Sequence, residues 1–280
     1  MSEATIDPLL PPEMAEACER AGVRKAGMDV LSTLVLAGLA GAFISLGAML
    51  FTVVTTSTEL GYGPTRLLGG VAFSLGLILV VIGGAELFTG NTLIVMAWAS
   101  RKVSTLRLLR NWGLVYAGNL GGALLTVLLV YSSGQWQFAG NAVGGTALKI
   151  GRAKVELGFG EAIALGILCN VLVTLAVWLT FSARSNIDRA VGIVFPITAF
   201  VAAGFEHSIA NMYFLPMALL LKEKPAAVEA AGLSNADLGN LTWDGFLLEN
   251  LLPVTIGNII GGAVLVAGVY WFVYLRPRQA

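Results

Sequence analysis

Charge is what this 280-residue chain has least of. Only 12% of its residues are Asp, Glu, Lys or Arg, about half the usual share in soluble globular proteins. The 17 basic residues are matched by 17 acidic ones, so there is no cationic surplus of the kind that binds nucleic acid. Two lone cysteines, Cys18 and Cys169, supply neither a disulfide framework nor a metal-ligand spacing. A single histidine, His207, excludes a histidine-based metal or haem set on facing helices. No cofactor or metal is expected, and an embedded redox enzyme is disfavoured. Residues 1–29 carry Pro8, Pro11 and Pro12 and a charged stretch where a secretory signal would place its apolar core, so the first apolar run is expected to stay in the chain.

What is present is apolar. Hydrophobic residues make up 56% of the sequence, and the mean hydropathy is +0.80. Four charge-free runs, 30–58, 111–148, 162–183 and 250–275, each exceed the roughly 20 residues that cross a bilayer core. Two more are interrupted: 67–85 and 87–100 flank Glu86, and 190–205 and 208–221 flank Glu206-His207. Several of these halves are too short to cross alone. They read as a second and a fifth span, each unwound at its centre, which lipid tolerates only where the opened backbone is covered by protein or lines a cavity. The fold class is an all-α membrane protein of six spans.

The two halves repeat. Glu86-Leu-Phe-Thr-Gly-Asn91 is answered by Glu206-His-Ser-Ile-Ala-Asn211, and Gly118-Asn119 by Gly257-Asn258. Ser45-Leu46-Gly47 pairs in the same way with Ala164-Leu165-Gly166. Three spans per half is an odd number, so the second copy enters the bilayer from the opposite side, giving inverted repeats that enclose a pathway. The expected division is an N-terminal segment 1–28, a first repeat 29–132, an extracytoplasmic loop 133–158, a second repeat 159–275 and a tail 276–280. Counting Lys and Arg by side gives eleven with the two termini, Arg276 and Arg278 among them, and six opposite, which predicts both termini in the cytoplasm. Pro11 and Pro12 open a short helix with Glu13, Glu16 and Glu19 early and Arg20, Arg24 and Lys25 late, in keeping with the helix dipole. It is either an interfacial anchor or a plug over a pore mouth. Glycines within the spans are read mainly as packing positions.

Duplication also sorts the polar residues. Glu86 with Glu206, Asn91 with Asn211 and Asn119 with Asn258 recur in both copies, and are expected to brace the two unwound segments, since both breaks free the same backbone groups. Where the copies differ, function is favoured: Leu87 aligns with His207, and Thr89 with Ile209. An ionisable histidine at membrane depth is costly unless it meets a cavity and a partner, so His207 is the leading candidate, as proton donor and anion partner. Thr89 is either a second donor or a helix cap. Phe73, Leu77 and Phe200 on one side of the breaks and Leu87 on the other are candidate apolar constrictions.

At Gly204-Phe-Glu-His-Ser-Ile-Ala-Asn-Met212, Phe73-Ser-Leu-Gly-Leu77 and Pro253-Val-Thr-Ile-Gly-Asn-Ile-Ile-Gly-Gly262, the sequence resembles the formate/nitrite transporter family, with its formate-channel branch the better match. The likeness runs through nearly the whole chain. It implies a homopentamer of aquaporin-like protomers in the bacterial inner membrane, each passing formate and related small monovalent anions through its own pore. It implies no enzymatic activity. The resemblance puts His207 and Thr89 at the centre, Phe73, Leu77 and Phe200 at an outer constriction and Leu87 at an inner one. It adds Asn170 beside the pore and Lys154 near the outer mouth. A nitrite or hydrosulfide channel is the alternative within the family. A neutral-solute pore is weaker, since the twin Asn-Pro-Ala signature and paired histidines are absent.

Overall fold

In a computed structural model, residues 8–277 are described. Residues 1–7 and 278–280, with Arg278 and the outer ends of the expected N-terminal segment and tail, lie outside them. The described residues are helical, with six helices long and apolar enough to cross a membrane. In chain order the elements are α1 (Pro11–Gly27), α2 (Val30–Val54), α3 (Tyr62–Gly83), α4 (Phe88–Ala99), α5 (Thr105–Ser132), α6 (Ala142–Val155), α7 (Phe159–Thr180), α8 (Asn186–Ala203), α9 (Ser208–Leu221), α10 (Pro225–Ala231) and α11 (Gly245–Leu275).

Both expected breaks are present. α3 gives way to α4 across residues 84–87, and α8 to α9 across 204–207. Each first half ends on a left-handed glycine, Gly84 at φ +79° and Gly204 at φ +80°, a conformation that costs a residue without a Cβ little. Their lengths differ from expectation: α3 has 22 residues and α8 has 18, because each begins several residues before the charge-free run that marked it. The run 111–148 is not one span. α5 ends at Ser132 and α6 starts at Ala142, after the left-handed Gly134 and Asn141.

Close helix packing follows the glycines. A Cβ on Gly41 would lie 2.0 Å from the Asn119 carbonyl oxygen, and one on Gly122 would lie 1.9 Å from that of Gly38, so α2 and α5 touch backbone to backbone. α7 and α11 do the same: a Cβ on Gly257 would lie 2.3 Å from the Ile163 oxygen and one on Gly261 2.3 Å from the Ile167 oxygen. In lipid this close van der Waals approach, not hydrophobic exclusion, drives association.

The structure corrects one of the three repeat landmarks. Glu86 N–H donates to the Leu36 carbonyl and Glu206 N–H to that of Leu165, while Asn119 Nδ2 reaches the Ala37 carbonyl and Asn258 Nδ2 that of Gly166. Leu36-Ala37, not Leu46-Gly47, is therefore the partner of Leu165-Gly166. Gly47 instead faces Phe73 and Gly76 on α3; a small residue beside a leucine is too common a pattern to fix the register.

The repeats also extend further than expected. α1 covers α4, and α6 covers α9, with Gly22 of α1 against Ile94 and Ala97 and Gly151 of α6 against Ala218. Each covering helix carries a lysine near its C-terminal end, Lys25 or Lys154, that reaches the glutamate of its break. α1 and α6 thus hold equivalent places, and each repeat is a covering helix plus three spans.

Candidate functional site

The breaks are held by two copies of one polar network. In the first, Asn119 Oδ1 accepts from Phe88 N–H at 2.9 Å and Asn119 Nδ2 donates to the Glu86 carbonyl at 2.9 Å. In the second, Asn258 bonds Ser208 N–H and the Glu206 carbonyl at the same 2.9 Å. These asparagines do satisfy the freed backbone. The glutamates and the other asparagines form a separate layer. Lys25 Nζ donates to Glu86 Oε1 at 2.6 Å, Asn91 Nδ2 to Glu86 Oε2 at 2.7 Å and to Asn111 Oδ1 at 3.0 Å, and Asn111 Nδ2 to the Lys25 carbonyl at 3.1 Å. Lys154, Glu206, Asn211 and Asn250 repeat this circuit at 2.7, 2.6, 2.7 and 2.9 Å. Each carboxylate is buried with a cation and an amide donor, the condition under which a buried charge is tolerated.

Asn111 and Asn250 carry no expected role from the sequence, and Lys25 is expected there only as a late base of the short N-terminal helix. A signal was there: Asn111 precedes Asn119, and Asn250 precedes Asn258, by the same eight residues.

At the centre the copies differ. His207 Nδ1 accepts the Ala210 N–H at 3.1 Å and so caps the start of α9, a task that Leu87 cannot perform for α4. That bond assigns the ring proton to Nε2, which lies 3.0 Å from Thr89 Oγ1. Both residues are buried. Nε2–H donating to Thr89 leaves the threonine hydroxyl hydrogen free for a further acceptor. Asn170 Nδ2 donates to the carbonyls of Thr89 and Asn258, at 3.3 and 2.6 Å, tying the Thr89 turn to α11.

Two vestibules flank this pair. The one on the α1 side has a volume of about 480 Å³ and is lined by Lys25, Leu77, Glu86, Leu87 and Asn91, among others. The far one, about 370 Å³, is lined by Phe73, Lys154, Phe200, Glu206 and His207, among others. Phe73 and Phe200 meet edge to face, centroids 5.7 Å apart, and Phe200 stacks on the His207 ring at 5.9 Å. Leu77, grouped with those phenylalanines from the sequence, lines the other vestibule with Leu87. Lys154 borders the far vestibule with its ammonium 5.3 Å from the Phe214 ring centroid.

A duplicated six-span bundle with two unwound spans and a single buried histidine between them matches the formate/nitrite transporter model over residues 12–272. The chain belongs to the formate/nitrite transporter family. Among relatives in that family, formate channel FocA of Escherichia coli strain K12 is 47% identical over 276 residues, which cover 98% of this chain and 97% of that protein. Formate channel FocA of Haemophilus influenzae is 37% identical over 265 residues, 94% of this chain and 93% of that one. A solved pentameric formate channel with formate bound superposes with a TM-score of 0.82 at 45% identity, covering 88% of this chain and 98% of its own. An ion channel of the formate/nitrite transporter family superposes at 0.80 with 26% identity. This member of the family is a multi-pass membrane protein of the channel and transporter class.

Proposed function

We propose that the chain is a channel for formate and related small monovalent anions, and that it acts as a homopentamer in the bacterial inner membrane with a separate path through each protomer. Both termini face the cytoplasm on this reading, segments 1–28 and 276–280 lie on that side, and 133–158 lies opposite. It carries out no catalysis. The observation that supports it most is the Thr89···His207 pair, two hydrogen-bond donors buried between two vestibules and walled off by Phe73 and Phe200 on one face and by Leu77 and Leu87 on the other.

Moving an anion from water into an apolar ring is expensive unless donors replace its shell. The Thr89 hydroxyl, whose hydrogen is free, is such a donor, and His207 Nε2–H is a second once it exchanges Thr89 Oγ1 for the anion; a bond from either to a carboxylate is charge-assisted. Proton transfer is a second mode of the same site, with a structural condition attached. In the resting tautomer Nε2 carries the ring's one proton, and giving it up would leave an imidazolate. Transfer to formate therefore starts from imidazolium, with the added proton on Nδ1. Formate accepts the Nε2 proton and becomes formic acid, and neutral imidazole protonated at Nδ1 remains. Both Nδ1-protonated forms have lost the Ala210 cap, so each transfer cycle breaks and remakes one hydrogen bond at the start of α9.

Formate uptake into proteoliposomes across a pH series tests this, with His207→Asn beside the unaltered protein. Asn is a good helix cap but carries no transferable proton. The unaltered protein is expected to show a pH response that His207→Asn lacks. An unchanged response in the variant would remove the proton-transfer mode. Absence of formate flux in both would move the reading to nitrite or hydrosulfide, and swelling of vesicles in neutral solutes alone would replace it with a neutral-solute pore.

A further inference from the structure

The two vestibules differ in uncompensated charge. On the α1 side the lining lysine, Lys25, is paired with Glu86, and Arg24 is the remaining cation. The far vestibule holds three cations, Arg66, Lys149 and Lys154, against one acid, Glu206. That acid is already engaged by Lys154 at 2.7 Å and by the amides of Asn211 and Asn250. Arg66 bonds no acid among the described residues. Its guanidinium donates to the Val201 and Ala202 carbonyls at the C-terminal end of α8 and leaves Nη1 unused. Lys149 has neither an ion-pair nor a hydrogen-bond partner among the described residues. The walls around them, Phe51, Phe73, Ile150, Leu157 and Phe200, are apolar.

We propose that Arg66 and Lys149 form an anion-loading site in the far vestibule, which gathers small monovalent carboxylates ahead of the Phe73 and Phe200 ring. This inference rests on the channel reading above and adds to it a site distinct from Thr89 and His207. Two unneutralised cations in a concave, low-dielectric chamber focus the field and raise local anion concentration, commonly by tenfold or more. Arg66 is suited to hold such an anion near the ring. Its Nε and Nη2 anchor it to the residues that follow Phe200, so Nη1 is presented from a fixed position. Lys149 is exposed on α6 and free to approach an incoming anion from the mouth. The site loads, and the buried pair passes the anion on.

Lys149 is the position to test, because it is exposed and its side chain makes no ion pair or hydrogen bond among the described residues. Formate uptake is measured against formate concentration at low ionic strength for the unaltered protein, Lys149→Gln and Lys149→Cys. Lys149→Gln is expected to raise the half-saturating concentration by about two- to fivefold, and the loss is overcome at saturating formate. The difference disappears near 1 M salt, where the screening length falls to about 3 Å. Lys149→Cys is then labelled in detergent with a cationic or an anionic thiosulfonate. Both native cysteines are buried, and burial pushes the Cys18 thiol up to about 12, so the label reports on position 149. The cationic label should restore the low half-saturation, and the anionic one should raise it further. Equal effects of the two labels, or a Lys149→Gln protein indistinguishable from the unaltered one at low salt, would overturn the loading site. Vesicles of unaltered protein that carry no formate at all would instead overturn the functional reading on which it stands.

Discussion

The first break and the second present the same bonding problem, and comparing them separates scaffold from pathway. Both end a helix on a left-handed glycine, both free a glutamate carbonyl and the N–H two residues on, and both answer with an asparagine from the third span of the repeat, while a lysine from a covering helix pairs with the glutamate side chain. Nothing in this shared set touches the Thr89···His207 contact directly. The residues that make that contact lie where the copies part: a leucine opens α4, and a histidine that caps its own helix opens α9. An unwound span can thus be kept by a conserved set of bonds while the side chain at its apex is free to take on chemistry.

The comparison is strained hardest at the buried ion pairs. Removing Lys154, whose side chain is 13% exposed, strands a buried carboxylate, and Lys154→Met should cost about 3–5 kcal/mol. Glu86 is as buried as Glu206, but Lys25 is 34% exposed and borders a vestibule, so water fills the vacated place beside the carboxylate and Lys25→Met should cost less, about 1–3 kcal/mol. Thermal unfolding of the assembled protein in detergent checks the order. Equal losses would mean that the two pairs are equally wet. Adding Glu206→Gln to Lys154→Met should recover part of the loss, since the stranded charge is then absent.

The asparagine braces come next, and here the halves should agree. Asn119→Ala and Asn258→Ala each leave two equivalent backbone groups of a break without partners, a glutamate carbonyl and the N–H two residues on, at about 1–3 kcal/mol for each buried group left unsatisfied. Matching drops in unfolding temperature sharpen the equivalence; tolerance of one and collapse of the other would break it. Thr89→Val probes the asymmetric position instead. Valine keeps the shape but removes one donor and the acceptor of His207 Nε2–H, so stability should fall by about 1–3 kcal/mol while formate flux falls by about tenfold, the size of one charge-assisted bond. Undiminished flux would leave His207 acting alone.

The smallest effect concerns helix starts outside the membrane. Asp29 caps α2 by accepting the Ser32 N–H at 2.9 Å, and this bond holds its carboxyl below the usual 3.8. Asp188 is lowered likewise by the Arg184 and Ser185 N–H groups at the start of α8. A depressed folded-state value means that the stabilisation is fully present above the ordinary carboxylate range and is lost as pH falls through the folded value. Stability should therefore be flat near neutrality with respect to these two groups and decline only in strong acid, with Asp29→Asn shrinking that decline. A loss already under way at pH 6 would have another source.

Much of the fold was legible. Six spans, two of them broken at Glu86 and Glu206, and the duplication offset carried by Glu-(x4)-Asn are written locally, because unwinding, capping and burial act within a few residues of the motif. The covering helices are not legible as repeat members: α1 looks like an N-terminal segment and α6 like part of a loop, and only a short Gly-x-x-Lys, Gly22 to Lys25 and Gly151 to Lys154, links them. Lys25 and Asn111 were missed for the same reason, since a buried carboxylate requires a partner but does not say from which element. Leu46-Gly47 was matched to Leu165-Gly166 because adjacent small and large apolar residues recur throughout lipid-packed helices, and only the carbonyl that each asparagine reaches fixes the register.

The sequence by itself determined the solvent of this protein, its family, its two unwound spans and the one titratable side chain placed within them, because lipid penalises every unpaired polar group and leaves few tolerable patterns. The tertiary structure alone decided which partner each polar group takes: that His207 gives Nδ1 to its own helix and Nε2 to Thr89, that Leu77 belongs to the vestibule beside Leu87, and that α1 is the counterpart of α6. Those choices depend on how segments distant in the sequence come together, as Thr89 and His207 do across 118 residues, and distance in space is not encoded in the spacing along the chain.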